Sequence, residues 1–590
     1  MSLNYKLKKY TISYFTKQAF IGLLLLLTTV ACKTSSVPTK QSDSVVSVIP
    51  VKEETRIAFE SSLNEGMKYY IIEDYPEAIK SLEKAVAYYN GSGAAYYTLG
   101  KLYLAQKNLI KARSNTELAT ALDADNKYYN EQLGQIYEYQ LDYVAATKVF
   151  KKLTVLYPYD VDYYYELASL YFHQTQYDAA LKTYTIIEQK FGKSLELTRQ
   201  KQQIYLRTNN IDEAIKEGES LINAFPDEDD YKVAHAEFLY TNGKYDEAIV
   251  LLLDVSKRDP KNPLAHLNLA SVYSTQGKEE AYFQELKIAF ESNALELDAE
   301  LGALKEYIKR ASNPAHNEHA VELTKITLLH YPKEAKVYGI LADLYLKMGK
   351  KKDALVQYKK VVQLGSNEFK NWIELLNLEY ETQQYDSLVA DTDNALELFP
   401  NQSSIWYYGG MGYYLKHNYT KAATYLEQAK KLSSSQVEIK IMSLSLLGDT
   451  YNELKNYPKS DDAYEEVLKL DRNNEHVLNN YSYFLSLRKE KLELAKELSE
   501  RLMKKYTGNP SYIDTYGWVL YQLKDYVNAK KYLEAALATK KDGTIAEHYG
   551  DVLYQLGDKE NALIQWKEAK ALGGTSEFID RKIAEGKIYE

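Results

Sequence analysis

The residues in this chain best placed to do chemistry are a lone cysteine, Cys32, and a small cluster formed by His316, Glu318 and His319. Two imidazoles three residues apart on a helix can face the same metal ion, and a neighbouring carboxylate could complete a hydrolytic centre. Two histidines and one acid fall short of a full ligand set, and Pro314 just upstream makes them equally readable as solvated residues of a first helical turn. No glycine-rich loop ending in Gly-Lys-Ser/Thr is present, nor a His-Glu-x-x-His pair, a nucleophile elbow or a calcium loop. The other histidines fall at unrelated positions and suggest no triad. The sequence therefore predicts no catalytic residue, no metal site and no cofactor, and a metal-dependent hydrolase centred on His316 and His319 is the weakest of three functional alternatives.

Cys32 reads differently because of what precedes it. Lys6, Lys8, Lys9 and Lys17 lead into an apolar run from Ala19 to Leu27, followed by Thr28, Thr29, Val30 and Ala31. A basic start, a short apolar centre and a small residue before the cut describe a secretory signal, and the apolar run is too short for a stable transmembrane helix. The residues up to the cysteine resemble the lipobox of bacterial lipoproteins, with Thr29 where leucine is usual, and that resemblance implies a lipid on Cys32. With no second cysteine, disulfides are excluded. Residues 33 to 55 are rich in Ser, Thr, Val and Lys, contain Pro38 and Pro50, and lack helical periodicity, so 32–56 is expected to be a flexible tether after a 1–31 signal peptide. No acidic cluster follows Cys32 directly. Such a cluster resembles a surface-export signal in Bacteroidota-type lipoproteins, so the expected location is the periplasmic face of an outer membrane.

The elements that would display any site repeat through the rest of the chain. Gly66, Tyr69, Ala78, Leu82 and Ala85 are followed by Gly100, Ala112 and Ala119, then by Gly134, Tyr137, Ala146 and Phe150, then by Ala168, Tyr171, Ala180 and Tyr184. A 34-residue period held over many units marks a repeat array rather than one compact core. Each unit reads as two amphipathic helices: Asn130, Leu133, Gly134 and Tyr137 share a face of one, and Ala146, Phe150 and Leu153 share a face of the other. Pro158, Pro226, Pro260, Pro332 and Pro400 recur where second helices must end.

In this order of small and large residues the chain resembles tetratricopeptide repeats, as Tyr338, Leu341, Ala342, Tyr345, Ala354 and Tyr358 and, near the end, Gly550, Ala562, Trp566 and Ala569 also show. The resemblance implies an all-α, right-handed superhelical solenoid of about fifteen helical hairpins. Its expected divisions are an N-terminal array at 57–296, an irregular unit and possible joint at 297–334, a C-terminal array at 335–576 and a capping helix at 577–590. Gln202 and Leu376 depart from the small residue expected at their positions, and a second possible joint lies at 431–440 around Ser433, Ser434 and Ser435.

The resemblance further implies a non-enzymatic scaffold whose first helices line a concave groove. Positions beside the packing residues then hold Tyr97, Tyr128, Tyr139, Tyr165 and Phe172 in the first half, and Tyr407, Tyr414, Tyr483, Trp518, Tyr521 and Tyr554 in the second. Aromatic rings with a polar end are efficient anchors for a protein or peptide, and they can equally cover neighbouring units. The lysine and asparagine clamp that chaperone-binding relatives use is not matched, since Leu63 and Met67 stand at first-unit positions where it would lie. The expected partner is an envelope protein or a segment of one, with no small-molecule substrate. A dedicated subunit of an outer-membrane assembly or secretion machine is the second alternative. Net charge is −9, falling to −13 once the four lysines of the first 31 residues are removed, which disfavours nucleic acid. The 57 tyrosines against 14 Phe and 4 Trp supply most of the aromatic bulk, and each brings a hydroxyl that needs water or a partner.

Overall fold

The computed structural model describes residues 52–310 and 314–589. The signal peptide and Cys32 lie outside the described residues. Among those described, thirty-one helices follow one another without a strand, as fifteen hairpins and one short terminal helix. The first helix, Glu53–Ile71, begins four residues before the boundary assigned to the tether, with Glu53 and Glu54 in its first turn, where acidic side chains favour a helix start.

The 34-residue period is a matter of helix ends as much as of packing. Several second helices are capped by a short polar residue that accepts from the backbone three residues on: Asp142 from the Ala145 N–H at 3.1 Å, Asn108 from Lys111 at 3.2 Å. The residue before the cap takes a left-handed conformation, as at Glu73, Lys107, Leu141, Thr175 and Asn209. Within a hairpin the small first-helix residues let the backbones close. A Cβ placed on Gly66 would lie 2.6 Å from Leu82 Cγ, and one on Gly517 would lie 2.8 Å from Leu533 Cγ. Gln202, where a small residue was expected, is buried and donates its amide to the Ala214 carbonyl across the hairpin at 3.0 Å.

The chain divides into two compact units between Tyr231 and Lys232. In the first unit, five hairpins run from Glu53–Ile71 to Ile211–Ala224. In the second, the irregular segment 297–334 is part of the packed array: Leu304, Tyr307, Leu323 and Ile326 join one core cluster with Phe283, Phe290 and Leu341. Its extra residues lengthen the second helix, Pro314–His330, to 17 residues where most helices have 13 or 14. The serine-rich break at 433–435 is handled in the same way by the 17-residue first helix Val437–Glu453. One added helical turn leaves the packing face where it was, because about 3.6 residues restore the angle.

Tyrosine hydroxyls find partners in a repeated way. A first-helix tyrosine donates to a carboxylate on the second helix of the preceding hairpin, as Tyr137 does to Glu117 at 2.8 Å and Tyr451 to Glu427 at 3.0 Å, with Tyr103 and Glu83 paired likewise. Burial, and then the adjacent carboxylate, push the Tyr137 hydroxyl well above its usual range. The ring fills the space between hairpins while the hydroxyl stays satisfied, which is why tyrosine replaces phenylalanine there.

Candidate partner-binding surfaces

The eleven aromatic residues expected to line a groove fall into three groups. Tyr128 and Tyr139 are 64% and 56% exposed. Both lie on helix Lys127–Tyr139, eleven residues apart, which brings them onto one face. The Gln135 amide reaches the Tyr139 hydroxyl on the same side at 3.4 Å. Tyr97, Tyr165, Phe172, Tyr407, Tyr414, Tyr483 and Tyr554 are half-buried and packed on core clusters, each with part of its ring outward. Burial pushes the Tyr407 and Tyr483 hydroxyls up to about 12. The remaining two correct the expectation of an open aromatic face: Trp518 and Tyr521 are only 6% and 3% exposed. They stack on each other at 4.6 Å, because the small Gly517 and Ala529 draw the neighbouring helix in and close the space above them.

Trp518 nevertheless borders a concavity of the second unit, a cavity of 430 Å³ between the last three hairpins and the C-terminal segment. Its walls come from Tyr483 on helix Glu475–Arg488, Trp518 and Gln522 on helix Pro510–Gln522, Glu547, His548 and Asp551 on helix Gly543–Gln555, and Lys582 on the terminal helix Ile579–Glu585. His548 stacks on Trp518 at 4.0 Å and its Nδ1 is 2.9 Å from Asp514 Oδ1. Burial opposes a charge on His548, but the Asp514 carboxylate outweighs it and raises the imidazole above its usual value. The Lys582 ammonium is buried between Glu547 Oε1 at 2.9 Å and Asp551 Oδ2 at 2.7 Å. Asp551 also accepts from Trp566 Nε1 at 2.9 Å, and Glu547 from the Ser576 N–H at 2.8 Å. Burial pushes the Asp551 carboxyl up to about 6 against the pull of Lys582. Glu547 goes the other way: burial resists ionisation, but Ser576 and Lys582 together hold it below its ordinary value.

This charged group escaped the sequence reading, which took the scattered histidines as unrelated. A signal was present: Asp514, His548 and Lys582 recur at 34-residue intervals, placing a polar residue at one repeat position in three successive units. A similar group lies upstream, where Asp449 accepts from Asn480 at 2.9 Å and from Tyr464 at 2.5 Å, with His476 Nε2 2.7 Å away.

The histidine cluster of the irregular unit is built for packing. His316 lies flat on the Tyr307 ring at 4.0 Å with Nε2 2.8 Å from the Tyr307 carbonyl, and His319 stacks on Phe283 at 3.8 Å with Nδ1 3.1 Å from the Tyr307 hydroxyl. Glu318 turns to Lys350 at 2.7 Å instead. Among the described residues no group of three or more His, Cys, Asp or Glu side chains could hold a metal ion, and no helix is long and apolar enough to cross a membrane.

Three tetratricopeptide-repeat family models match the chain, at residues 73–136, at 203–263 and 233–293, and at 335–366 and 443–474. The chain carries tetratricopeptide repeats. The matched stretches fall on hairpins of both units, and between them the first-helix starts keep the 34-residue spacing except across the lengthened hairpin at 297–334, so the tetratricopeptide architecture accounts for the described helices as a whole. Among solved structures the chain is similar to one of the APC/C hetero-tetramer Cut9–Hcn1, at 14% identity over 84% of this chain and 96% of that one, with a TM-score of 0.36. It is also similar to one of Naa15/Naa10 bound to HypK-THB, at 12% identity over 90% of this chain and 96% of that one, with a TM-score of 0.30. A search of the curated proteins finds no match.

Proposed function

We propose that this tetratricopeptide array is a non-enzymatic docking scaffold of a bacterial cell envelope, lipid-anchored at Cys32, that holds a protein or peptide partner against aromatic side chains of its first helices. Tetratricopeptide repeats are protein-interaction scaffolds. The observation that carries the docking surface is the pair Tyr128 and Tyr139, large rings left open on one face of a single helix about 16 Å apart along its axis. Amphipathic rings held at fixed spacing on a rigid helix cost little entropy to immobilise, which is what an anchor for a partner requires. The lipid anchor is supported by the lipobox-like residues before Cys32, and the outer-membrane, periplasm-facing location by the absence of an acidic run after it.

Two measurements test the two halves of this reading. A photo-reactive phenylalanine analogue introduced at Tyr128 in intact cells should give a protein adduct that disappears when Tyr139→Ala is added. An unchanged adduct, or none, overturns the surface. Metabolic labelling with a fatty acid should mark the wild-type chain and leave Cys32→Ser unlabelled and released from the membrane fraction. A variant that stays labelled overturns the anchor.

A further inference from the structure

Five aliphatic side chains share one edge of the first unit, the edge where first helices turn into second helices. Ile71 and Ile72 close the first helix of hairpin one, Ile110 lies at the start of the second helix of hairpin two, and Leu141 and Val144 flank the same turn of hairpin three. All are between 59% and 79% exposed. The edge is continuous because a turn residue grips the hairpin before it: the Gln140 amide donates to the Leu109 carbonyl at 3.1 Å, and the Gln174 amide to the Tyr143 carbonyl at 3.1 Å. Apolar residues scattered singly on a surface are ordinary, but a run of them rimmed by polar groups marks a contact site.

Nothing in the fold calls for these residues. Ile110 and Val144 are the second residues of their helices, a position that hairpins four and five fill with Asp178 and Asp212, where an acid favours the helix start. Leu141 is held at φ +60°, where a bulky side chain is disfavoured, while hairpin five has Asn209 there. All three residues forgo local stability for an exposed apolar surface, so the gain lies outside the chain. The backbone of the turn tolerates an apolar medium, because the N–H groups of Gln140, Leu141 and Asp142 are bonded to the carbonyls of Ile136, Glu138 and Tyr137 at 3.0, 2.9 and 2.8 Å. Composition then separates a lipid from a protein. Protein hot spots favour Trp, Tyr and Arg, with leucine and valine under-represented, whereas these five side chains are aliphatic and have no hydrogen bond to offer.

We infer that this edge rests on the membrane surface, with the five side chains sunk into the boundary between lipid headgroups and acyl chains. The assignment rests on the lipid anchor proposed at Cys32 and adds an orientation to it. Residues 33–52 separate Cys32 from helix Glu53–Ile71, and a chain of that length reaches at most about 70 Å. With the helix standing on its turn, Glu53 is only about 28 Å above the edge, well within that reach. The length of the tether alone does not fix which side of the array meets the membrane; the apolar edge does. Glu73, Asp74 and Asp142 on the same turns keep the contact shallow, about 5–10 Å deep. In that orientation Tyr139, two residues before Leu141, sets the docking face directly above the bilayer.

The test places a dye on the edge. The full lipid-bearing chain is reconstituted into vesicles of phosphatidylethanolamine with a minor share of phosphatidylglycerol, and Ile110→Cys is labelled with nitrobenzoxadiazole and read against nitroxide-bearing lipid. Lipidation leaves Cys32 no thiol to label. The reference is Val155→Cys, an exposed position about 16 Å from Val144 along its helix. Quenching should be strong at 110 and absent at 155. Adding Leu141→Asn and Val144→Asp should abolish it at 110, with the chain still on the vesicles and its helical circular dichroism unchanged, since hairpins five and four hold Asn209 and Asp178 at these places. Equal quenching at both positions, none at either on a chain that stays with the vesicles, or quenching that survives the two substitutions overturns the edge and leaves the anchor standing. A blue-shifted dye at 110 that lipid does not quench, and that dilution in the bilayer reverses, assigns the edge to a second copy and overturns the membrane contact. A chain that leaves the vesicles and takes a second dye at Cys32 marks failure of the anchor itself, and the inference falls with it.

Discussion

The chain buries a lysine between two acids in each of its units, and the two sites are built differently. In the first unit Lys201 lies 3.0 Å from Glu188 and 2.5 Å from Glu217, on three successive helices, and the two acid side chains remain 23% and 19% exposed. In the second, Lys582 is held by two acids of one helix whose side chains are 5% and 1% exposed, beside a cavity. The first arrangement staples neighbouring hairpins, and its acids can turn to water if the lysine goes. In the second the acids have no such retreat, so the lysine both closes the end of the array and sets the charge of the space it borders.

Replacing each lysine by methionine should separate the two roles most strongly. Lys582→Met leaves two enclosed carboxylates uncompensated, and removal of one partner of a buried pair costs about 3–5 kcal/mol. Amide exchange in helix Gly543–Gln555 should accelerate by several orders of magnitude. Lys201→Met should accelerate exchange in helix Tyr177–Phe191 much less, and equal effects would show that exposure of the acids does not matter. A smaller contrast is expected from filling the close approaches. Gly66→Ala and Gly517→Ala each force a methyl group against a leucine branch point, at about 1–3 kcal/mol. The loss at Gly517 should extend to the Trp518 indole N–H resonance, whereas Gly66→Ala should leave that resonance untouched.

The pH response should run in opposite directions at the two lysines. Asp551 has its carboxyl raised from 3.8 to about 6 by burial, so the folded chain binds a proton there more tightly than the unfolded chain. That contribution is present at low pH and is lost as pH rises towards 6. Glu188 is resisted by burial but held below its ordinary 4.5 by Lys201 and Lys193, so its contribution is present above 4.5 and lost as pH falls. Raising pH from 4.5 to 6 should therefore lower the protection of helix Gly543–Gln555, read as exchange relative to the base-catalysed rate of an unprotected amide at the same pH, by about tenfold per unit at most, with no such loss of protection in helix Tyr177–Phe191. Asp551→Asn should abolish the first slope, and a slope that survives would assign it to another group.

The same contrast shows what was legible in the sequence. Hairpin packing was readable because it depends on residue size at a fixed period: Gly66, Ala78 and Leu82 lie where the spacing placed them. The breaks near 313 and 433 were visible as lost register, but not that each becomes one more turn of helix, because a four-residue insertion in a loop and in a helix read alike. The aromatic face was only partly legible. Tyr128 and Trp518 were both expected on the open face, yet one is open and the other enclosed, and the enclosure of Trp518 is made by Tyr521 one turn on along its own helix together with His548 and the C-terminal segment from farther along the chain. Charge compensation was not read at all, since Lys582 meets Asp551 across 31 residues.

The smallest expected effect concerns the turns, which both units build in the same left-handed conformation with different residues. Leu141 in the first unit has φ +60° and is 69% exposed, while the second unit uses Gly557 at φ +88° in the hairpin that carries His548 and Asp551. A leucine held there incurs about 1–2 kcal/mol from its Cβ against the backbone. Exposure means its side chain contributes little in return. Glycine would remove that strain but adds freedom to the unfolded chain, worth about 0.5–1 kcal/mol, so Leu141→Gly should stabilise the hairpin Lys127–Tyr139 and Tyr143–Leu156 by about 0.5–1 kcal/mol. Amide exchange slowed about threefold in those two helices, and unchanged in Gly543–Gln555, is the expected reading. Faster exchange would mean that Leu141 is held by packing, and that the turns of the two units are not equivalent after all.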